Sequence, residues 1–162
     1  MSDAFGEPLY QAIASFLDDA SIPYVGEASA LIVTEISGEH GSWRTFIQIT
    51  DEPENRFIVI HAQFPAGIPA GSRAKLSERL TRINYDLALG NFELGMGDGE
   101  LLFKTAIDLA DGVLTRQMFW RMYDRNRQVM NQHFAEIAES AFGADAGAML
   151  DVCTAPDGAV LQ

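Results

Sequence analysis

The residue types that carry most catalytic and metal chemistry are scarce in this sequence and far apart. The histidines are His40, His61 and His133, predicted on a turn, a strand and a helix, and the single cysteine is Cys153. This spacing matches no zinc site. A base at His61 would need a serine or cysteine nucleophile with an oxyanion partner, and none can be named beside it. We therefore predict no catalytic residue, no metal and no cofactor.

A glycine-rich run and two acidic loops have the composition of ligand-binding loops but not their context. Residues 95–99 (GMGDG) are followed by a predicted strand, whereas a phosphate loop needs a helix N-terminus, and the neighbouring carboxylates would repel phosphate. A hairpin turn explains this run better. The acidic loops at 51–54 and 108–111 do not match an EF-hand calcium loop. We interpret both as solvated turns.

The charge balance argues against two classes of partner. The 162 residues carry a formal net charge of −12, with 11 basic against 23 acidic side chains. Non-specific nucleic-acid binding needs basic residues that displace counterions, and an anionic membrane surface repels an acidic protein. Most basic residues fall in two predicted helices, as ordinary solvated faces or as a basic stripe that meets an acidic partner. They are Arg73, Lys75, Arg79, Arg82, Arg116, Arg121, Arg125 and Arg127.

Cysteine usage and hydropathy indicate the compartment. One cysteine permits no intrachain disulfide, which fits a reducing cytoplasm. Residues 1–10 lack the basic start and apolar run of a signal peptide. No stretch approaches the ~18 apolar residues of a membrane span. We therefore expect a cytoplasmic protein.

Hydrophobic periodicity predicts one α+β domain. Helical spacing of apolar residues and alternating β-branched runs follow the order α-β-β-β-α-β-β-α, and the short connections imply an antiparallel sheet. Such strands with helices on one side give a two-layer domain. We place it at residues 1–142 and expect partial disorder in the tail at 143–162. The predicted elements are helix 8–20, strands 31–37, 43–50 and 56–64, a helix from Pro69 or Ser72 to about Leu89, a hairpin over 91–108 and helix 115–142.

Strand alternation places large apolar side chains on both faces of this sheet. Because the helices of a two-layer fold cover one face, apolar groups on the second face imply a partner, a second protomer or a shielding helix. The long C-terminal helix is a candidate shield. One face carries Trp43, Ile47, Ile58, Ile60 and Phe103, and the other carries Phe46, Phe57, Val59, His61 and Leu102.

Trp120 is a separate surface candidate. At helical spacing it lies with Asp124, Arg127 and Asn131, outside the main apolar arc of its helix. An aromatic side chain among polar groups is a frequent binding anchor, although a tryptophan at the edge of the core is the alternative. The candidate partner-binding residues are therefore Phe46, Phe57, Val59, Leu102 and Trp120.

The central part of the sequence resembles the YbjN family of proposed bacterial sensory-transduction regulators. The resemblance covers about residues 8–142 and is strongest over 66–108. It implies a fold like that of the type III secretion chaperones, which are small acidic homodimers that hold extended segments of partner proteins. It implies no catalytic residues. The segments that carry it are 68–70 (IPA), 80–85 (LTRINY), 89–94 (LGNFEL) and 98–105 (DGELLFKT).

Two functions from different classes remain open at this point. The first is a homodimeric, non-enzymatic module that binds protein segments, in a chaperone-like or regulatory role, through apolar pockets and strand addition at a sheet edge. The second is a small-molecule sensor with its ligand between sheet and helices, which would need an apolar pocket of at least ~300 Å³. An enzyme is a third and weaker hypothesis.

Overall fold

One antiparallel sheet forms the frame of the domain. The structure, a computed structural model, describes residues 8–28 and 30–154, without the side chains of 152–154. Its strands are β1 (Tyr24–Glu27), β2 (Leu31–Ser37), β3 (Ser42–Glu52), β4 (Asn55–Gln63), β5 (Asn91–Leu94) and β6 (Leu101–Asp108). Its helices are α1 (Leu9–Asp19), α2 (Ala70–Asp86), α3 (Arg116–Phe142) and α4 (Ala146–Thr154), with a 3-10 turn at Gly143–Asp145. The strand order is β1-β2-β3-β4-β6-β5, and every neighbouring pair is antiparallel.

The helices pack on a single face of the sheet, which we call the covered face. Ile47, Ile58, Ile60 and Phe103 point into this layer and are completely buried. The core has two parts. In one, α1 and the first half of α3 lie over the isoleucines of the central strands. In the other, α2 and the second half of α3 lie over Trp43 and Phe103.

Few of the described polar side chains are buried in this layer, and those of Asn126, Thr34 and Tyr123 tie helix to sheet. Asn126 of α3 is 1% exposed, and its amide donates to the backbone carbonyls of Ile60 and Phe103 at 3.0 Å each. Thr34 and Tyr123 share a buried hydrogen bond of 2.9 Å. Because a buried amide without partners is costly, these bonds fix where α3 crosses the strands.

A buried arginine anchors three chain segments at one end of the sheet. Arg56 is 3% exposed, and it donates to the Asp51 carboxylate at 2.7 Å and to the Gly112 carbonyl at 3.0 Å. The second oxygen of Asp51 accepts the backbone N–H of Leu9 at 2.8 Å. The clasp therefore joins the β3–β4 hairpin to the start of α1 and to the loop before α3.

Most of the predicted elements are confirmed, and the α+β class with them. The strand predicted at 31–37 has those bounds, and the helix predicted at 115–142 begins after Thr115, whose hydroxyl accepts the N–H of Met118 at 3.1 Å. The sequence analysis did not predict β1, a four-residue edge strand with mostly exposed side chains. The middle helix ends at Asp86 rather than about Leu89.

The first part of the tail is ordered in the structure, while the partial disorder expected over 143–162 as a whole stays a prediction. Residues 143–154 are helical, although partial disorder was expected from 143 onwards. The physical reason is packing, because Ala146, Met149 and Leu150 contact the core beneath α2 and α3. The rest of the tail, 155–162, lies outside the described residues.

Candidate functional site: the open face of the sheet

The face of the sheet opposite the helices is the candidate site, and we call it the open face. Its apolar side chains include Val33, Phe46, Phe57, Val59 and Leu102, all only partly buried. None of them belongs to either core cluster, since both clusters lie on the covered face. The long helix α3 packs against the covered face. It therefore does not shield the open face, which was one of the possibilities in the sequence analysis.

The strand register arranges the open face in rows that run across the sheet. Apolar and polar groups are mixed along these rows, and Phe46, Val59 and Phe57 are the apolar groups over β3 and β4. One row runs Val25, Val33, Phe46, His61, Lys104 and Asn91, and the next runs Leu31, Gln48, Val59 and Ala106. Two further rows flank these. The row on one side consists of Glu35, Arg44, Gln63, Leu102 and Glu93, and the row on the other side consists of Thr50, Phe57 and Asp108.

Charged side chains on the β6–β5 side are paired with each other. Lys104 forms an ion pair with Glu93, which also accepts from the amide of Asn91 at 3.2 Å. Burial raises the pKa of Glu93, but these two hydrogen bonds outweigh it, and the pKa lies below its usual value. Gln63 donates to Glu100 at 2.8 Å. This side of the open face is therefore polar and ordered by its own contacts.

His61 lies at the centre of the open face, between Phe46 on β3 and Lys104 on β6. Burial lowers its pKa below the usual value, and Lys104 lowers it further, while Glu93 and Glu100 act in the opposite direction. Because burial disfavours the charged imidazolium and the Lys104 ammonium repels it, the neutral imidazole is favoured here.

The structure brings four of the five candidate residues together and separates the fifth. Phe46, Phe57, Val59 and Leu102 share the open face. Trp120 lies on α3, in the other layer, where its ring meets those of Phe119 and Tyr123 edge-on at 5.1 and 5.6 Å. It is partly exposed at the edge of the core. Sequence reasoning did not name Val33 and Leu31, which the alternation of β2 could have placed on the open face.

The histidines that were considered as catalytic or metal-binding residues remain apart in the folded chain. His40 is exposed in the β2–β3 turn, whereas His133 on α3 lies against the ring of Phe92 at 5.8 Å. Within residues 8–28 and 30–154, no group of three or more histidine, cysteine or acidic side chains could hold a metal ion. The side chain of Cys153 lies outside the described part.

The glycine-rich run and the acidic loops serve the fold. Asp98 accepts the backbone N–H of Glu100 at 3.0 Å within the β5–β6 turn, and Asp108 accepts that of Ala110 at 2.9 Å. Asp51 belongs to the clasp with Arg56. These contacts satisfy turn backbone and a buried cation, as expected for structural carboxylates.

The basic residues of α2 and α3 are mostly engaged within the chain. Arg79 pairs with Glu136 at 2.5 Å, and that contact holds the pKa of Glu136 below its usual value. Arg116 pairs with Asp19 at 2.5 Å, and Arg73 donates to three backbone carbonyls around the β5–β6 turn. These contacts favour ordinary helix faces over a basic stripe reserved for a partner.

A crevice of about 160 Å³ lies between the β2–β3 turn and α3. Trp43 forms part of its wall, and Glu39, Arg127 and Asn131 line its polar side. Pockets for small molecules usually enclose about 300–1,000 Å³, so this crevice is below the expected size for a sensor pocket. Among the described helices, none combines the length and apolarity that a bilayer crossing requires.

These features define a class: a two-layer α+β domain in which the described helices all cover the same side of an antiparallel sheet. Comparison with known proteins gives the family. The sequence matches, over residues 10–139, the YbjN family, described as "Putative bacterial sensory transduction regulator". Since that match spans most of the chain, this protein belongs to the YbjN family. A search of curated proteins finds no match.

A solved structure shows the same fold. It is the crystal structure of "YbjN, a putative transcription regulator from E. coli", with a TM-score of 0.61 and 17% sequence identity. The alignment covers 80% of this chain and 93% of that one. At this identity the likeness concerns the fold alone, and the family is one of proposed regulators rather than a known enzyme family.

Proposed function

We propose that this protein is a non-enzymatic, cytoplasmic regulator that acts as a homodimer and binds protein segments, in a chaperone-like or regulatory role. The observation that carries the proposal is the open face, where Phe46, Phe57, Val59 and Leu102 are only partly buried and lie outside both core clusters. Contiguous apolar surface of this kind on a domain marks an interaction site. Membership in a family of proposed regulators is consistent with this role.

The chemistry of the open face suits a macromolecular partner better than a small ligand. The surface is a sheet face rather than a concavity, and the crevice elsewhere measures about 160 Å³. Aromatic and branched side chains surrounded by polar groups are the usual composition of a protein interface. The sensor alternative therefore lacks an observation of its own.

Affinity capture with matched variants tests the proposal. Tagged wild-type protein, Phe46→Lys and Gln132→Lys are each used to recover proteins from a lysate of the source bacterium. Both variants add one positive charge, but Phe46 lies on the open face and Gln132 is exposed on α3. We expect the wild type and Gln132→Lys to recover the same protein partners, including further copies of this chain, and Phe46→Lys to lose them. Identical recovery by all three, or no partner in repeated trials, would contradict the proposal.

A further inference from the structure

The open face has the area that a stable pairing of two sheets needs. Its four inner strands contribute 7, 11, 9 and 8 residues, and the two edge strands contribute 4 each. With strands about 4.8 Å apart and a rise of about 3.3 Å per residue, the face measures about 680 Å². Two such faces together would bury about 1,360 Å², towards the lower end of the range for specific protein interfaces.

We propose that the open face packs against the open face of a second copy of this chain, with Phe46 and His61 at the centre, and that protonation of His61 separates the two copies. This inference rests on the proposed function, since it names the partner of the same surface and a way to regulate it.

The sheet has a natural centre for such a pair. Its middle lies between β3 and β4, since three strands lie on each side. Consider a two-fold axis that runs along this line, parallel to the strands and midway between the two sheets. It places each row of one copy over the same row of the other, and β3 of one copy over β4 of the other. It then places Phe46 over His61 of the second copy, Gln48 over Val59, and Thr50 over Phe57. Each of these contacts occurs twice, which is how a symmetric interface becomes self-complementary.

The charges of the open face allow the pairing, although the chain as a whole is strongly acidic. The same axis places β2 over β6, so Lys104 comes beside Glu35 of the second copy, one row away. Arg44 lies over the neutral Gln63. Opposite charges thus come close towards the side of the interface, and at its centre each apolar group lies over an uncharged polar group, so like charges do not meet there.

His61 gives this interface a dependence on pH. The charged groups near the His61 imidazole are Arg44 on β3, Lys104 on β6, Glu93 on β5 and Glu100 in the β5–β6 turn. In the pair, the Phe46 ring of the second copy would remove the remaining water from the imidazole, and this lowers the pKa of His61 further. Pairing is therefore at full strength above the pKa of His61 in the separate protomer, and it weakens as the pH falls through that value.

Sedimentation velocity of the purified full chain tests the inference. At about pH 8 we expect a reversible dimer, and at about pH 5.5 a dissociation constant about fivefold larger or more. Val59→Lys would leave an unpaired ammonium in the interface and weaken pairing about a hundredfold. Gln48→Lys, exposed on the same face, places its ammonium against Val59 of the second copy and should also weaken pairing, and Gln132→Lys on α3 is the matched control. His61→Gln keeps the pairing but removes its pH dependence.

The outcomes separate this inference from the proposed function. A chain that stays monomeric at high concentration, yet recovers other proteins through Phe46 in the capture experiment, overturns the pairing and leaves the protein-binding role standing. A dimer that tolerates both lysine variants on the open face has its interface elsewhere, which also overturns the inference. A pH dependence that persists unchanged in His61→Gln overturns the role of His61.

Discussion

The two faces of the sheet are built from the same strands and the same kinds of side chain, but they differ in what lies over them. On β4, Ile58 and Ile60 are completely buried under helices, whereas Phe57 and Val59, their immediate neighbours in sequence, are only partly buried. Alternation along a strand gives each face its own side chains, and the helices then decide which face becomes the core. The covered face forms the core, and on the open face the described residues leave apolar side chains only partly buried.

The largest difference between the faces should appear in stability. Phe103→Ala removes a completely buried ring from the covered face and should cost about 3–5 kcal/mol of unfolding free energy. Phe46→Ala removes the same atoms from the open face and should cost less, about 1–2 kcal/mol, because the ring is only partly buried by the protomer. Urea unfolding at a protein concentration low enough to keep the protomers separate measures both. Equal losses of unfolding free energy in the two variants would contradict this prediction, since they would mean that the protomer packs both faces equally well.

The clasp that holds α1 over the covered face gives the second prediction. Arg56→Ala leaves the buried part of Asp51 without its cation and releases Gly112, so it should cost about 3 kcal/mol. Arg44→Ala on the neighbouring strand is the control, because Arg44 is exposed on the open face and its removal should cost less than about 0.5 kcal/mol. Thermal unfolding checks the pair. A clasp variant as stable as the control would show that α1 needs no such anchor.

A smaller effect concerns the turn that connects the two strands at the β5 edge. Gly99 has a φ of +81°, and a Cβ there would lie 2.3 Å from the carbonyl oxygen of Ile68. Gly99→Ala should therefore cost about 1–3 kcal/mol. Gly97→Ala lies in the same turn with nothing within 4 Å of the added carbon, so it should be close to neutral. Denaturant midpoints of the two variants give the comparison, and equal midpoints would contradict it.

Local patterns were sufficient to predict most of the fold, because its elements are long or strictly alternating. The parity of β3 and β4 could be predicted for the same reason, and with it the apolar groups of the open face. By contrast, β1 has only Tyr24 to Glu27, mostly exposed, so no hydrophobic pattern marks it. The short helix α4 is stabilised by distant core contacts rather than by its own periodicity.

The detail of the candidate site depends on contacts that are remote in sequence. The pairing of Phe46 with His61, and of His61 with Lys104, follows from strand register, which the sequence alone does not specify. The Arg56 clasp reaches Gly112, 56 positions away. Trp120 could be predicted to lie near the edge of a helix face, but its separation from the open face required the packing of α3.

Thiol labelling tests the central claim most directly, because it compares the two faces on one strand. Val59→Cys and Ile60→Cys, each combined with Cys153→Ser, place a single thiol on the open face or on the covered face. We predict that the thiol at 59 reacts quickly in dilute protein and slowly in concentrated protein, whereas the thiol at 60 reacts slowly at every concentration. A thiol at 59 that is protected even at high dilution would mean that the chain covers this face itself. A thiol at 59 that reacts at the same fast rate at every concentration would mean that no second copy covers it.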